Sequence, residues 1–154
     1  MCSASLTYNS SSITIFTVYV NARLFNHNPQ ALDKFTTKIR AWNCGGDILD
    51  QVFAQEWFKC MKKPLLDGYG LSEAGPNVAI SGPSCFRLST VGKALEGTEV
   101  KISEVGELLI KNPSIATKYL GKNGQRIVDD SGWLRSGDKA CLDEDGFIIL
   151  YGRK

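Results

Sequence analysis

One segment of regular apolar spacing, DILDQVFAQEWFKCM at residues 47–61, constrains the fold of this chain most. Its apolar side chains recur three and four residues apart, which predicts an amphipathic helix; they are Leu49, Val52, Phe53, Trp57 and Cys60. Asp47 or Asp50 can cap the N-terminus of this helix. A pair of lysines followed by Pro64 predicts that the helix ends near residue 62.

Short strand-like runs lie on both sides of this helix. Residues 38–43 precede it, separated from it by the pair Gly45 and Gly46, and the apolar run LLDGYG at residues 65–70 follows it. A strand, a helix and a second strand in this order predict two parallel neighbouring strands. The loops after these strands then lie at the carboxyl edge of the sheet, where open α/β sheets bind ligands.

The second half of the chain contains short strands instead of helices. Beyond residue 85, apolar or alternating runs of strand length are separated by turns rich in aspartate and glycine; the runs are TEVKI, GELLI, WLRSGDKACL and GFIILYG. The turns DDSG at residues 129–132 and DEDG at residues 143–146 precede and follow the third run. This pattern predicts an antiparallel sheet or a small barrel.

The predicted fold class is therefore α/β followed by mostly β. An earlier strand at residues 13–20 and an earlier helix near residues 29–36 belong to the α/β part. We expect part of a parallel-sheet α/β subdomain over residues 1–84 and a small antiparallel, barrel-like subdomain over residues 85–154.

Composition favours a small-molecule partner. Eighteen basic and 16 acidic residues are spread along the 154-residue chain, so the sequence shows neither a nucleic-acid groove nor a polybasic membrane anchor. The apolar run at residues 13–20 is too short to span a membrane and lacks the features of a signal peptide. Five separated cysteines without zinc-type pairs predict a reducing, intracellular setting, in the cytoplasm or an organelle.

Residues suited to binding a nucleotide cluster in GYGLSE, directly after the second predicted strand. Gly68 and Gly70 allow a sharp turn and the close approach of a ligand. The Tyr69 ring can stack on a base, the Ser72 hydroxyl can donate to a phosphate, and Glu73 can hold a magnesium ion that bridges phosphates. From these residues alone, a strand end with incidental polar groups is an open alternative.

Further residues fit the same kind of ligand. Gly45 and Gly46 lie at the same predicted sheet edge. Asp138, at the end of WLRSGD, can accept hydrogen bonds from two ribose hydroxyls, and Arg153 can cover the ribose or a phosphate. His27, the only histidine, is predicted to be a loop residue without a catalytic partner.

In this order and spacing the motifs resemble the adenylate-forming superfamily, which contains acyl-CoA synthetases, coumarate-CoA ligases and luciferases. GYGLSE resembles the adenine-stacking and phosphate motif, with the roles proposed above for Tyr69, Ser72 and Glu73. GWLRSGD and GRK resemble two motifs whose carboxylate and arginine hold the ribose, here Asp138 and Arg153. STVGKALEGTEVKI and GELLIKNPSIATKYLG are similar to segments of the family's third subdomain.

The resemblance implies a ligand set and a reaction. Family members join a small-molecule carboxylate to AMP from ATP, release pyrophosphate, and pass the acyl group to coenzyme A. Ser72 and Glu73 would be catalytic, with Mg²⁺ on Glu73, while Gly45 and Gly46 would border the nucleotide. Asp47 would either add a negative charge near the phosphates or, as we expect, cap the helix.

Two elements of the family have no counterpart in this sequence. They are the glycine-rich phosphate loop and the lysine-bearing C-terminal domain, which supply positive charge to the transition state. We therefore expect the chain alone to be inactive. Pyrophosphate release from ATP and a fatty acid, above that of a Glu73→Gln control, would contradict this expectation.

Two alternatives to an acyl-CoA synthetase region stay open at this point. One is a non-catalytic module that binds a nucleotide or a partner, and the other is a truncated gene product. If the chain is instead part of an acyl-CoA synthetase, it would expose an unpaired sheet edge, and we expect aggregation or a partner chain that covers this edge.

Overall fold

A computed structural model of the protein describes residue 37 and residues 39–119 and 124–154. The strand predicted at residues 13–20, the helix predicted at 29–36 and His27 lie outside these residues. Within the described part of the chain, eight strands form two four-stranded sheets. None of the helices described there is long and apolar enough to cross a bilayer.

The first sheet is mixed. Its four strands follow one another in space in sequence order; they are β1 (Trp42–Gly45), β2 (Leu65–Leu71), β3 (Gly75–Ile80) and β4 (Lys93–Ala94). The pair β1 and β2 is parallel, which confirms the prediction from the strand-helix-strand order, and the other pairs are antiparallel. The strand predicted at residues 38–43 begins later, because pairing with β2 starts at Trp42 opposite Leu65.

Helix α1 (Gln51–Met61) connects the two parallel strands. Asp50 is its cap, since the Asp50 carboxylate accepts a hydrogen bond from the Phe53 N–H at 2.7 Å. The expectation that Asp47 caps the helix is wrong, because the Asp47 carboxylate accepts from the N–H of the next residue instead. The buried face of α1 packs on the start of β2 through an apolar cluster that contains Phe53, Trp57, Met61 and Leu65.

The second sheet is antiparallel, as the sequence predicts. Its strands are again neighbours in sequence order; they are β5 (Glu99–Ile102), β6 (Glu107–Lys111), β7 (Leu134–Leu142) and β8 (Ile148–Arg153). The predicted turns precede and follow β7. Asp143 accepts hydrogen bonds from the N–H groups of Asp145 and Phe147, and Asp129 does the same for Ser131 and Trp133.

A single apolar core joins the two sheets. Its buried members come from strands of both sheets, and they include Tyr69, Val78, Ala79, Leu108, Ile110, Leu134, Ala140 and Ile148. The backbone of Val91 and Gly92, just before β4, also hydrogen-bonds to Ile148 of β8 at 2.9–3.0 Å. Backbone hydrogen bonds as well as the core therefore hold the first sheet against β8. The predicted fold class is confirmed, while a domain boundary at residues 84 and 85 stays a prediction.

Candidate functional site

A cleft opens where the carboxyl ends of β1 and β2 meet β7 and β8. Its lining residues come from the loop after β1, from β2, from the segment before β4, and from the second sheet; they are Gly46, Asp47, Ile48, Gly68, Tyr69, Gly70, Leu71, Val91, Asp138, Leu150, Gly152 and Arg153. Most of the residues that the sequence predicts for the site are therefore brought together. Gly45, Ser72 and Glu73 are not among the lining residues.

Two glycines shape the edge of the first sheet at this cleft. Gly45 lies opposite Gly68 in the parallel pair, where an added Cβ would come within 3.0 Å of the Gly68 carbonyl oxygen. Gly46 has a φ of 94°, a conformation that side chains disfavour. The chain can therefore turn directly after β1 and pass close to the end of β2.

Tyr69 connects the two sheets at the base of the cleft. It is 8% exposed, and its hydroxyl donates a hydrogen bond to Asp138 Oδ2 at 2.6 Å. Burial, together with the hydrogen bond to Asp138 and the charge of that carboxylate, raises the pKa of Tyr69. The hydroxyl therefore stays protonated and remains a donor at neutral pH.

The Asp138 carboxylate is held on both sides. Oδ2 accepts from Tyr69, and Oδ1 lies 3.2 Å from Nε of Arg153, the residue paired with Asp138 across β7 and β8. The Asp138 N–H donates to the Ser136 hydroxyl at 3.0 Å. A carboxylate has about four acceptor positions, so each oxygen can accept one further hydrogen bond. This geometry fits two neighbouring hydroxyl groups of a ribose.

Glu107 is a buried acid near the cleft that the sequence motifs do not indicate. Glu107 of β6 is 3% exposed, and it accepts from the Gly137 N–H at 3.1 Å and from Arg135 Nη2 at 2.6 Å. Burial alone would raise the pKa of Glu107, but these hydrogen bonds and the charges of Arg135 and Lys154 lower it. Glu107 therefore anchors the bend of β7 immediately before Asp138. An acid inside the apolar run GELLI was the signal that could have indicated it.

Ser72 and Glu73 lie in the turn between β2 and β3. Ser72 is exposed, and Glu73 is half-buried. Glu73 Oε1 accepts a hydrogen bond from the Tyr119 hydroxyl at 2.8 Å. The described residues contain no group of three or more histidine, cysteine, aspartate or glutamate side chains that could hold a metal ion. Glu73 alone nevertheless fits Mg²⁺, which commonly binds one or two carboxylates together with ligand phosphates.

Comparison with known proteins places this chain in a family. The family described as AMP-binding enzyme matches residues 6–120. This chain belongs to the AMP-binding enzyme family.

Relatives of this AMP-binding family member include acid-CoA ligases. A long-chain-fatty-acid–CoA ligase of Salmonella typhimurium is 32% identical over 160 residues, which cover 96% of this chain and 28% of the relative. The chain thus spans little more than a quarter of that relative's length.

Solved structures of CoA ligases share the fold. A benzoate CoA ligase from Burkholderia xenovorans matches with a TM-score of 0.64 and 26% identity, over 75% of this chain and 26% of that one. An anthranilate CoA ligase in complex with anthranoyl-AMP matches with a TM-score of 0.66 and 23% identity, over 76% of this chain and 25% of that one.

Proposed function

We propose that this chain forms the adenosine-binding floor of an ATP-dependent acid-CoA ligase. The observation that carries the proposal is that the Asp138 carboxylate accepts a hydrogen bond from Tyr69 and forms an ion pair with Arg153. These contacts join the two sheets beside the glycines of the cleft. The three residues come from three separate strands, so a strand end with incidental polar groups does not account for their convergence. Family membership and the names of the relatives support the same function.

Each cleft residue has a role in this proposal. The Tyr69 ring stacks on the adenine, and the remaining acceptor positions of Asp138 take the two ribose hydroxyls. Arg153, whose side chain is 71% exposed, holds one side of the Asp138 carboxylate and donates from Nη1 to the Ser136 carbonyl oxygen at 3.0 Å, and it presents its remaining donors to the ribose or a phosphate. Gly46, where nothing lies within 4 Å of an added Cβ, leaves space for the nucleotide, and Gly68 and Gly70 present their backbone to the same cleft.

The turn between β2 and β3 supplies the phosphate end of the proposed site. Ser72 donates to a phosphate oxygen, and Glu73 holds Mg²⁺, which neutralises phosphate charge when bound. A small-molecule carboxylate is the proposed acyl substrate and coenzyme A the proposed acyl acceptor. The relatives named above are a fatty-acid–CoA ligase and a benzoate CoA ligase, which have different acids in their names. The proposed substrate is therefore a class of compound, the carboxylic acids. An intracellular setting is part of the same proposal.

Titration calorimetry with AMP tests the nucleotide site. We expect the unsubstituted protein to bind AMP and Asp138→Ala to weaken binding by at least 50-fold, because two charge-assisted hydrogen bonds to the ribose are lost, at about 1.5–3 kcal/mol each. Asp130→Ala is the matched control, since that aspartate side chain is 97% exposed on a turn outside the cleft. Equal AMP affinity in all three proteins would contradict the proposed site.

A further inference from the structure

Tyr119 contacts the carboxylate to which the proposed function assigns magnesium. Its hydroxyl donates to Glu73 Oε1 at 2.8 Å, across 46 residues of sequence. Both side chains are half-buried. The sequence indicates no role for Tyr119, which lies in the segment GELLIKNPSIATKYLG.

The backbone around Tyr119 is attached to the same turn. The Ala116 N–H donates to the Glu73 carbonyl oxygen at 2.9 Å, and the Asn112 side chain donates to the Ala74 carbonyl oxygen at 3.2 Å. Residues 112–119 therefore hold both the backbone and the side chain of Glu73. The Tyr119 hydroxyl touches the carboxylate itself, while Ala116 and Asn112 hold the backbone of Glu73 and Ala74.

We propose that Tyr119 is a positioning residue that orients the Glu73 carboxylate for Mg²⁺. The inference rests on the proposed function, because it concerns the metal that accompanies the nucleotide phosphates. A hydroxyl has one proton to donate, so the bond to Oε1 leaves Oε2 and a second position on Oε1 for a metal ion. Carboxylates that ligate metals are commonly held by such hydrogen bonds, and removing the partner typically weakens metal binding 10-fold to 100-fold.

A purely structural role of Tyr119 makes a different prediction. If the bond only ties residues 112–119 to the turn, its loss lowers the stability of the protein without changing the metal dependence of nucleotide binding. The Mg²⁺ concentration required for tight ATP binding therefore distinguishes the two roles.

The experiment compares the unsubstituted protein with Tyr119→Phe, which keeps the ring and removes the hydroxyl. ATP affinity is measured by calorimetry over a range of MgCl₂ concentrations, and AMP affinity is measured in EDTA. The MgCl₂ concentration that gives half of the Mg²⁺-dependent increase in ATP affinity should be 10-fold to 100-fold higher for Tyr119→Phe than for the unsubstituted protein. The AMP affinity of the two proteins should be the same. Tyr151→Phe is the matched control, because Tyr151 is 65% exposed and its hydroxyl contacts Cys141. Glu73→Gln should abolish the Mg²⁺ effect.

Three other results would overturn this inference, and one of them would also overturn the proposed function. AMP binding together with the same Mg²⁺ requirement in the unsubstituted protein and Tyr119→Phe would overturn this inference and leave the proposed function intact. A lower Mg²⁺ requirement in Tyr119→Phe would overturn it too, since the hydroxyl would then compete with the metal. Absence of AMP binding by the unsubstituted, folded protein would overturn the proposed function and this inference with it.

Discussion

The Tyr69 hydroxyl and the Asp138 carboxylate show how the chemistry of a single residue depends on its neighbours. Sequence motifs predict an aromatic ring from GYGLSE and a carboxylate from WLRSGD, but the bond between them spans 69 residues. No local pattern indicates such a bond, because a tyrosine carries the same ring whether or not its hydroxyl has a partner. The same is true of Tyr119 and Glu73.

Tyr69→Phe separates the hydroxyl from the ring. We expect roughly 5-fold to 10-fold weaker AMP binding, because Asp138 loses a donor that orients it, and a hydrogen bond to a charged group contributes about 1.5–3 kcal/mol at most. Tyr69→Ala should bind AMP at least about 5-fold more weakly than Tyr69→Phe, since base stacking on an aromatic ring is worth about 1–3 kcal/mol.

Calorimetry with AMP measures both variants, and their far-ultraviolet circular dichroism checks the fold. Full affinity in Tyr69→Phe would show that the hydroxyl does not orient Asp138 for the ligand. Equal affinities of Tyr69→Phe and Tyr69→Ala would contradict stacking of the ring on the adenine.

At the scale of elements, the hairpin of β2 and β3 is the part that sequence patterns did not indicate. β3 begins with Gly75, Pro76 and Asn77, residue types that are depleted in strands, so residues 75–80 show no strand signal at their start. Tertiary packing supplies the missing preference, because Val78 and Ala79 are fully buried in the shared core. Helix α1, β2 and the strands of the second sheet were predictable, since each has its own apolar period or run.

Gly70 is the position in this hairpin where a side chain is least tolerable. A Cβ on Gly70 would lie 2.1 Å from the Pro76 carbonyl oxygen, a backbone atom that cannot move without distorting β3. We expect Gly70→Ala to lower the free energy of unfolding by about 2–3 kcal/mol or more, as overpacking typically does.

Gly82→Ala is the matched control, because nothing lies within 4 Å of a Cβ at that position. Its free energy of unfolding in urea should stay within about 0.5 kcal/mol of the unsubstituted protein. Equal stabilities of the two variants would show that β2 and β3 do not approach as closely at Gly70 as the structure shows.

At the scale of the whole molecule, the protonation of a buried acid changes the stability of the folded protein. Asp67 is 6% exposed at the end of the parallel strand pair. Its carboxylate accepts from the Gly68 N–H at 2.9 Å and lies 3.5 Å from Cys44 Sγ. Burial outweighs these contacts and raises the pKa of Asp67 from 3.8 to about 6. The folded protein therefore binds a proton that the unfolded chain has already lost.

Because of Asp67, the free energy of unfolding should fall as the pH rises from about 4 to about 6. We expect Asp67→Asn to be more stable than the unsubstituted protein by about 3 kcal/mol at pH 7.5, with the difference vanishing near pH 4. Urea unfolding at several pH values measures this difference. The opposite contribution of Glu107, lost as the pH falls, is present in both proteins and cancels.

Asp130→Asn is the matched control, because that carboxylate is exposed and its removal should change stability little at any pH. An Asp67→Asn protein that is no more stable than the unsubstituted one at pH 7.5 would contradict a raised pKa for Asp67.

The sequence by itself determined helix α1, β2, the strands of the second sheet and the motifs that name the candidate site residues. Helical spacing, strand runs and aspartate-glycine turns depend only on residues that are close together in the sequence. The same is true of the motifs that indicate Tyr69, Glu73, Asp138 and Arg153 as candidates. The tertiary structure alone decided the strand β3 and the partners of the two carboxylates. These features depend on burial and on contacts between distant segments, which arise only when both sheets close on one core.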